Sequence, residues 1–231
     1  MKKGFTLSEV LITLGVVGVV AVLTIPGVMK NYQNRLYTAQ LEKVYAQVSD
    51  AVQSVMNDEH VDNFYETSAG GATVCTNADK GECTSGLGYF LPRYFKTIKK
   101  NCLGSDSKAC MSSTQGFYKS VSGSNIAGAH GNYFVQTITG ASIGGFYNAS
   151  NNCTSLIVDV NGMGEPNVAG RDVFTIDIRS NGTLADYGSA CLPNNIGATA
   201  ASCTSGGTMD LYSAASGCLN NVIEAGWKME Y

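Results

Sequence analysis

Apolar residues follow different spacings along the first quarter of the chain. From Val10 to Met29 twenty residues pass without a charged side chain. At a rise of about 1.5 Å per residue such a run spans about 30 Å as a helix, the thickness of a bilayer core. From Tyr37 the pattern turns periodic. Tyr37, Leu41, Val44, Val48, Val52 and Val55 recur at spacings of four, three, four, four and three. That is one face of an α-helix. Arg35, Gln40, Glu42, Lys43, Gln47, Ser49, Asp50 and Gln53 supply the polar remainder. The pattern predicts one helix from about Phe5 to about Met56. Pro26 removes one backbone donor and is expected to bend it. Gly15, Gly18 and Gly27 suit close helix approach, or are ordinary membrane-helix composition.

Beyond Asn57 the period shortens to that of strands. Phe117–Val121, Tyr133–Ile138, Ser155–Val160 and Val173–Ile178 are rich in β-branched or aromatic residues and bounded by Gly, Asn or Ser. Asn181-Gly182 is a strong turn pair and closes a hairpin from Ile178 to Leu184. Tyr89–Phe95 reads as an aromatic helical turn or edge. Cys218–Glu224 reads as a short helix with Leu219, Val222 and Ile223 on one face, Gly226 as its stop and Trp227 as a core plug. The fold class is α+β: a long N-terminal helix packed on an antiparallel sheet in a meander, stapled by disulfides.

Composition sharpens this picture. Only 14% of the residues are charged and the net charge is −3, which argues against a nucleic-acid binder. His60 and His130 are the only histidines, too few for multi-histidine metal chemistry. No nucleophile elbow, zinc-protease, phosphate-loop or dinucleotide motif is present, so no enzyme class is indicated. Eight cysteines without C-x-x-C spacing suggest disulfides and an oxidising compartment. Cys75 with Cys83 and Cys102 with Cys110 are each eight positions apart and read as short loop staples. Cys153, Cys191, Cys203 and Cys218 remain for the C-terminal end, their pairing open.

The amino-terminal tip adds chemistry. Lys2 and Lys3 precede the apolar run, which favours a cytoplasmic tip. The run is too long for a secretory h-region, and no A-x-A cleavage site follows it. Glu9 sits at its edge, where a carboxylate near lipid calls for a partner. Lys3-Gly4-Phe5-Thr6-Leu7-Ser8-Glu9 followed by this run resembles the signal of type IV pilins and type II secretion pseudopilins. The resemblance covers about 30 of the 231 residues. It implies cleavage after Gly4 by a prepilin peptidase and N-methylation of Phe5. It places Glu9 fifth in the mature chain and Pro26 at the helix-bending proline. Cleavage would leave a free amine on the helix that carries Glu9, so that the amine of one subunit can pair with Glu9 of another. Thr6 can hydrogen-bond to the same cluster.

The division that follows is 1–4 leader, 5–29 membrane and assembly helix, 30–57 amphipathic continuation, and 58–231 extracytoplasmic head. By resemblance, the partners are the peptidase, an inner-membrane platform protein, an assembly ATPase and other pilin subunits. The single-pass subunit would lie in a bacterial inner membrane before joining a pilus or pseudopilus. The alternative is an uncleaved, signal-anchored extracellular module that binds a ligand as an adhesin does.

No cofactor is required by these readings. One loop nevertheless carries oxygen ligands between two strands: Asp159, Asn161, Asn167 and Asp172, with Glu165 nearby. That donor set suits a hard cation such as calcium. The loop departs from the EF-hand pattern. It is equally readable as a turn held by Asx hydrogen bonds.

Overall fold

The periodic face of the long helix is a buried stripe. The computed structural model describes residues 4, 6–188, 203 and 210–230. Helix α1 runs from Leu7 to Asp58, with Pro26 inside it. The chain divides into two units, Met1–Leu36 and Tyr37–Tyr231. In the first, the large apolar side chains are exposed, as with Leu14 at 65% and Leu23 at 76%. In the second, all six residues of the periodic stripe are buried, joined by Ala51 and Met56.

The head has a six-stranded antiparallel sheet. Its strands are β3 (Thr97–Lys100), β6 (Tyr133–Thr137), β7 (Ser142–Asn148), β8 (Cys153–Asp159), β9 (Val173–Ile178) and β10 (Leu184–Ala185). Their order is β10-β9-β8-β7-β6-β3. Strands β6 to β10 form the meander expected from the turn spacing, and Leu184 pairs with Ile178 around Asn181-Gly182. Two small ribbons flank the sheet: β1 (Val74–Asn77) with β2 (Glu82–Ser85), and β4 (Leu103–Gly104) with β5 (Met111–Ser112). Helix α2 (Gly86–Tyr94) contains Tyr89–Tyr94 of the aromatic cluster, with Phe95 as its extended C-cap, and α3 (Leu211–Ala215) and α4 (Cys218–Glu224) follow the sheet in the chain.

The sheet is covered on both faces, and the period-2 alternation shows it. Leu156 and Val158 of β8 join Phe174, Ile176 and Ile178 of β9 in a core with α1, α2 and α4. Ile157 and Val173 point the other way, into a second core with Met111, Tyr118, Ile126, Leu211 and Tyr212. Each fully buried Leu, Ile or Phe contributes about 1.5–3 kcal/mol. A helix packed on one face was expected; the second covering, made of irregular chain and α3, was not. Its segments carry no strong period.

Three disulfides are described: Cys75–Cys83, Cys102–Cys110 and Cys203–Cys218. The two short staples match the spacing argument. Cys153 is disulfide-bonded as well, and Cys191 lies outside the described residues.

Two local expectations need correction. Phe117–Val121 is no regular strand; only Lys119 makes isolated bridges, to Asn125 and Val168. Gly116 and Gly123, both at positive φ, turn the chain on either side. Tyr118 is buried there, and its hydroxyl donates to Met111 Sδ at 2.7 Å. In α4, Leu219 and Val222 are buried but Ile223 is 37% exposed, so the apolar face is narrower than its sequence. Trp227 is half-buried against the core and stands edge-on to Tyr45 at 5.5 Å.

Candidate functional site

Two places gather the residues singled out from sequence. The first is the start of α1. Thr6 precedes the helix, and its amide nitrogen and hydroxyl both donate to Glu9 Oε2 at 2.8 Å. The Glu9 amide returns a bond to Thr6 Oγ1 at 3.3 Å. This is a reciprocal capping box, Thr at the N-cap and Glu three residues on. It satisfies amide groups that no helical carbonyl can reach. Its signature, Thr6-x-x-Glu9 before an apolar run, is present in the sequence.

Gly4 is exposed and a side chain there would meet nothing within 4 Å. Phe5 lies outside the described residues. Further along, polar atoms within the apolar run are satisfied by the helix itself. Thr13 Oγ1 donates to the Val10 carbonyl at 3.0 Å, and Thr24 Oγ1 to the Val20 carbonyl at 2.9 Å. Such back-bonding suits a segment that meets lipid or packed helices, where a free hydroxyl is costly. By length and composition, α1 is able to cross a membrane.

The second place is the loop from β8 to β9. Asp159 ends β8 and Asp172 immediately precedes β9; both are fully buried. Asp172 accepts the amides of Asn167 and Val168, each at 2.7 Å. Asp159 Oδ1 accepts the Asn161 amide at 3.3 Å. The Asn161 side-chain amide donates to the carbonyls of Gly164 and Glu165, both at 3.0 Å. The Asx turns read from sequence are therefore present, and they bring Asp159, Asn161, Asn167 and Asp172 into one small loop.

These bonds leave three buried oxygens without a partner: Asp159 Oδ2, Asn161 Oδ1 and Asn167 Oδ1. A buried polar atom left unpaired costs about 1–3 kcal/mol. The electrostatics agree. Burial, and then the Asp172 charge, push the Asp159 carboxyl well above the usual carboxylate range. Burial pushes Asp172 up to about 6, against the pull of its backbone amide bonds. The Tyr37 hydroxyl of α1 reaches the same loop, donating to the Glu165 carbonyl at 3.4 Å. Glu165 itself is exposed. Among the described residues, no group of three or more His, Cys, Asp or Glu is placed to hold a metal ion; two carboxylates and two amides make a different donor set.

The buried acids nearer the C-terminus escaped sequence reading. Asp177 accepts the Ser155 hydroxyl at 2.7 Å and the Gly188 amide at 2.8 Å. Asp186 accepts the amides of Gly217 and Asn220, at 3.0 and 2.8 Å, at the start of α4. No motif marks either one, because their partners lie far away in sequence.

Comparison with known proteins bears on the first place. Residues 1–25 match the family model described as the prokaryotic N-terminal methylation motif. That motif is the signature of type IV pilins and pseudopilins. No curated protein and no solved structure matches the chain.

Proposed function

We propose that this chain is a structural subunit, not an enzyme, of a type IV pilus or a type II secretion-like pseudopilus. A prepilin peptidase cuts it after Gly4 and Phe5 is N-methylated. It then leaves the inner membrane through a platform protein and an assembly ATPase, and polymerises through α1, with its head outside the cytoplasm. The observation that carries this reading is the methylation motif over residues 1–25, continuous with a helix whose large apolar side chains, from Leu7 to Met29, are exposed. Two apolar helices side by side would cover those surfaces. The new amine of one subunit would neutralise Glu9 of another, removing an unpaired charge from the packed helices.

Intact mass and N-terminal peptide mapping of protein from peptidase-containing membranes test this. The expected mature chain begins at Phe5 and carries one extra methyl group on that residue. A chain that retains Gly4 overturns the filament reading and leaves a signal-anchored binding module.

A further inference from the structure

We propose that the β8–β9 loop binds one calcium ion through side-chain oxygens of Asp159, Asn161, Asn167 and Asp172. The inference rests on the head alone and stands whether or not the chain enters a filament. Three of these residues each present a buried oxygen with no hydrogen-bond partner, while their other polar atoms are used to shape the loop. Asn161 makes the point chemically. Its donors face two carbonyls, of Gly164 and Glu165. A carbonyl only accepts, so the amide cannot be turned round, and Oδ1 must be the atom left over. Asn167 is 5% exposed with its Oδ1 unpaired, and Asp159 is fully buried with Oδ2 unpaired.

The framework that places these atoms is already built. The two backbone amides on Asp172 fix the Asn167–Val168 turn, and Asn167 holds a left-handed φ of 54°, which asparagine tolerates better than most residues. The Val160 amide bonds the Asp172 carbonyl at 2.8 Å, which ties the two acidic ends together. Gly162 also has a positive φ, and a side chain there would approach the Gly140 carbonyl to 2.8 Å.

All the donors are oxygen, which selects a hard cation, and two carboxylates balance a double charge. Neutral amide oxygens on an irregular loop suit the six to eight flexible ligands of calcium. Magnesium demands a near-ideal octahedron and usually retains several waters. Four side chains leave room for carbonyls or water to complete the shell. An ion here would also secure the seat of Tyr37, whose hydroxyl bonds the loop at Glu165.

The test uses the full chain in detergent, stripped with a chelator. Thermal unfolding is followed with added calcium or magnesium chloride, and bound metal is counted by elemental analysis. The expected result is one calcium per chain and a melting temperature raised by roughly 5–10 °C at a hundredfold excess over Kd. Magnesium should give a much smaller shift. Asp159→Asn should lose the calcium response yet melt close to the stripped wild type, because the amide has the same size and its oxygen can still accept the Asn161 amide bond. Asn161→Ala is the second variant and should also weaken the response. Absence of bound calcium and of any shift overturns the proposal. So does an equal response to magnesium, or a calcium shift that survives both substitutions.

Discussion

Glu9 folds back on Thr6: one carboxylate oxygen, Oε2, lies 2.8 Å from both the amide nitrogen and the hydroxyl oxygen of that residue. The glutamate thus starts the helix within its own chain, whatever it does between chains. The two roles separate under substitution. Glu9→Gln keeps a capping-box side chain but removes the charge. We expect normal membrane insertion and processing, and a loss of filament incorporation measured in sheared or secreted fractions. Thr6→Ala should do the reverse in kind, loosening the helix start by about 1 kcal/mol while leaving the charge.

The two stretches of α1 should respond differently to truncation. Leu41 is fully buried in the head, so Leu41→Ala should cost about 2–5 kcal/mol in head stability, read from denaturant midpoints. Leu14 is 65% exposed. Leu14→Ala should leave that midpoint unchanged and show its effect only in membrane retention or assembly.

The Cys203–Cys218 bridge closes a 15-residue separation and packs under Gly170. A side chain on Gly170 would come within 2.7 Å of Cys218 Sγ and 3.0 Å of Cys203 Sγ. Replacing both cysteines with alanine should destabilise the head by about 3 kcal/mol, seen as a lower unfolding midpoint under oxidising conditions. Reducing agent should produce no such gap between wild type and variant.

Asp186 predicts a pH dependence. Burial pushes its carboxyl up to about 6 from an ordinary 3.8; backbone amide bonds from Asn220, Gly217 and Tyr187 pull the other way, and Asp177 adds a small upward push. The folded head therefore holds this proton more tightly than the unfolded chain. Its contribution is fully present below about pH 4 and is lost as pH rises through about 6. Asp172, also pushed up to about 6 by burial, acts in the same direction. In chelator, unfolding free energy should fall by on the order of 1–3 kcal/mol between pH 4 and pH 7. Asp186→Asn should flatten part of that slope. A slope unchanged in the variant would show that other groups carry it.

Sequence alone determined the features whose causes are local. The 3.6-residue period over Tyr37–Val55 named the buried stripe of α1, since residues three and four apart share a helix face. The β-branched runs and Asn181-Gly182 marked the main meander, because strand alternation and turn φ angles are set within a few residues. Short spacing exposed two disulfides, and the register Gly4-Phe5-Glu9 pointed to the motif that residues 1–25 match.

Tertiary structure decided the rest. The second covering of the sheet came from segments too irregular to carry a period. Phe117–Val121 has the composition of a strand, but its flanking glycines turn it into a buried loop. Asp177 and Asp186 found amides eleven and more than thirty residues away, and no spacing rule reports such pairs. The loop from Asp159 to Asp172 shows both sides of the division. Its sequence disclosed the oxygen donors, but only the folded hydrogen-bond network showed which oxygens remain unsatisfied. Whether a buried polar atom has a partner depends on everything packed around it.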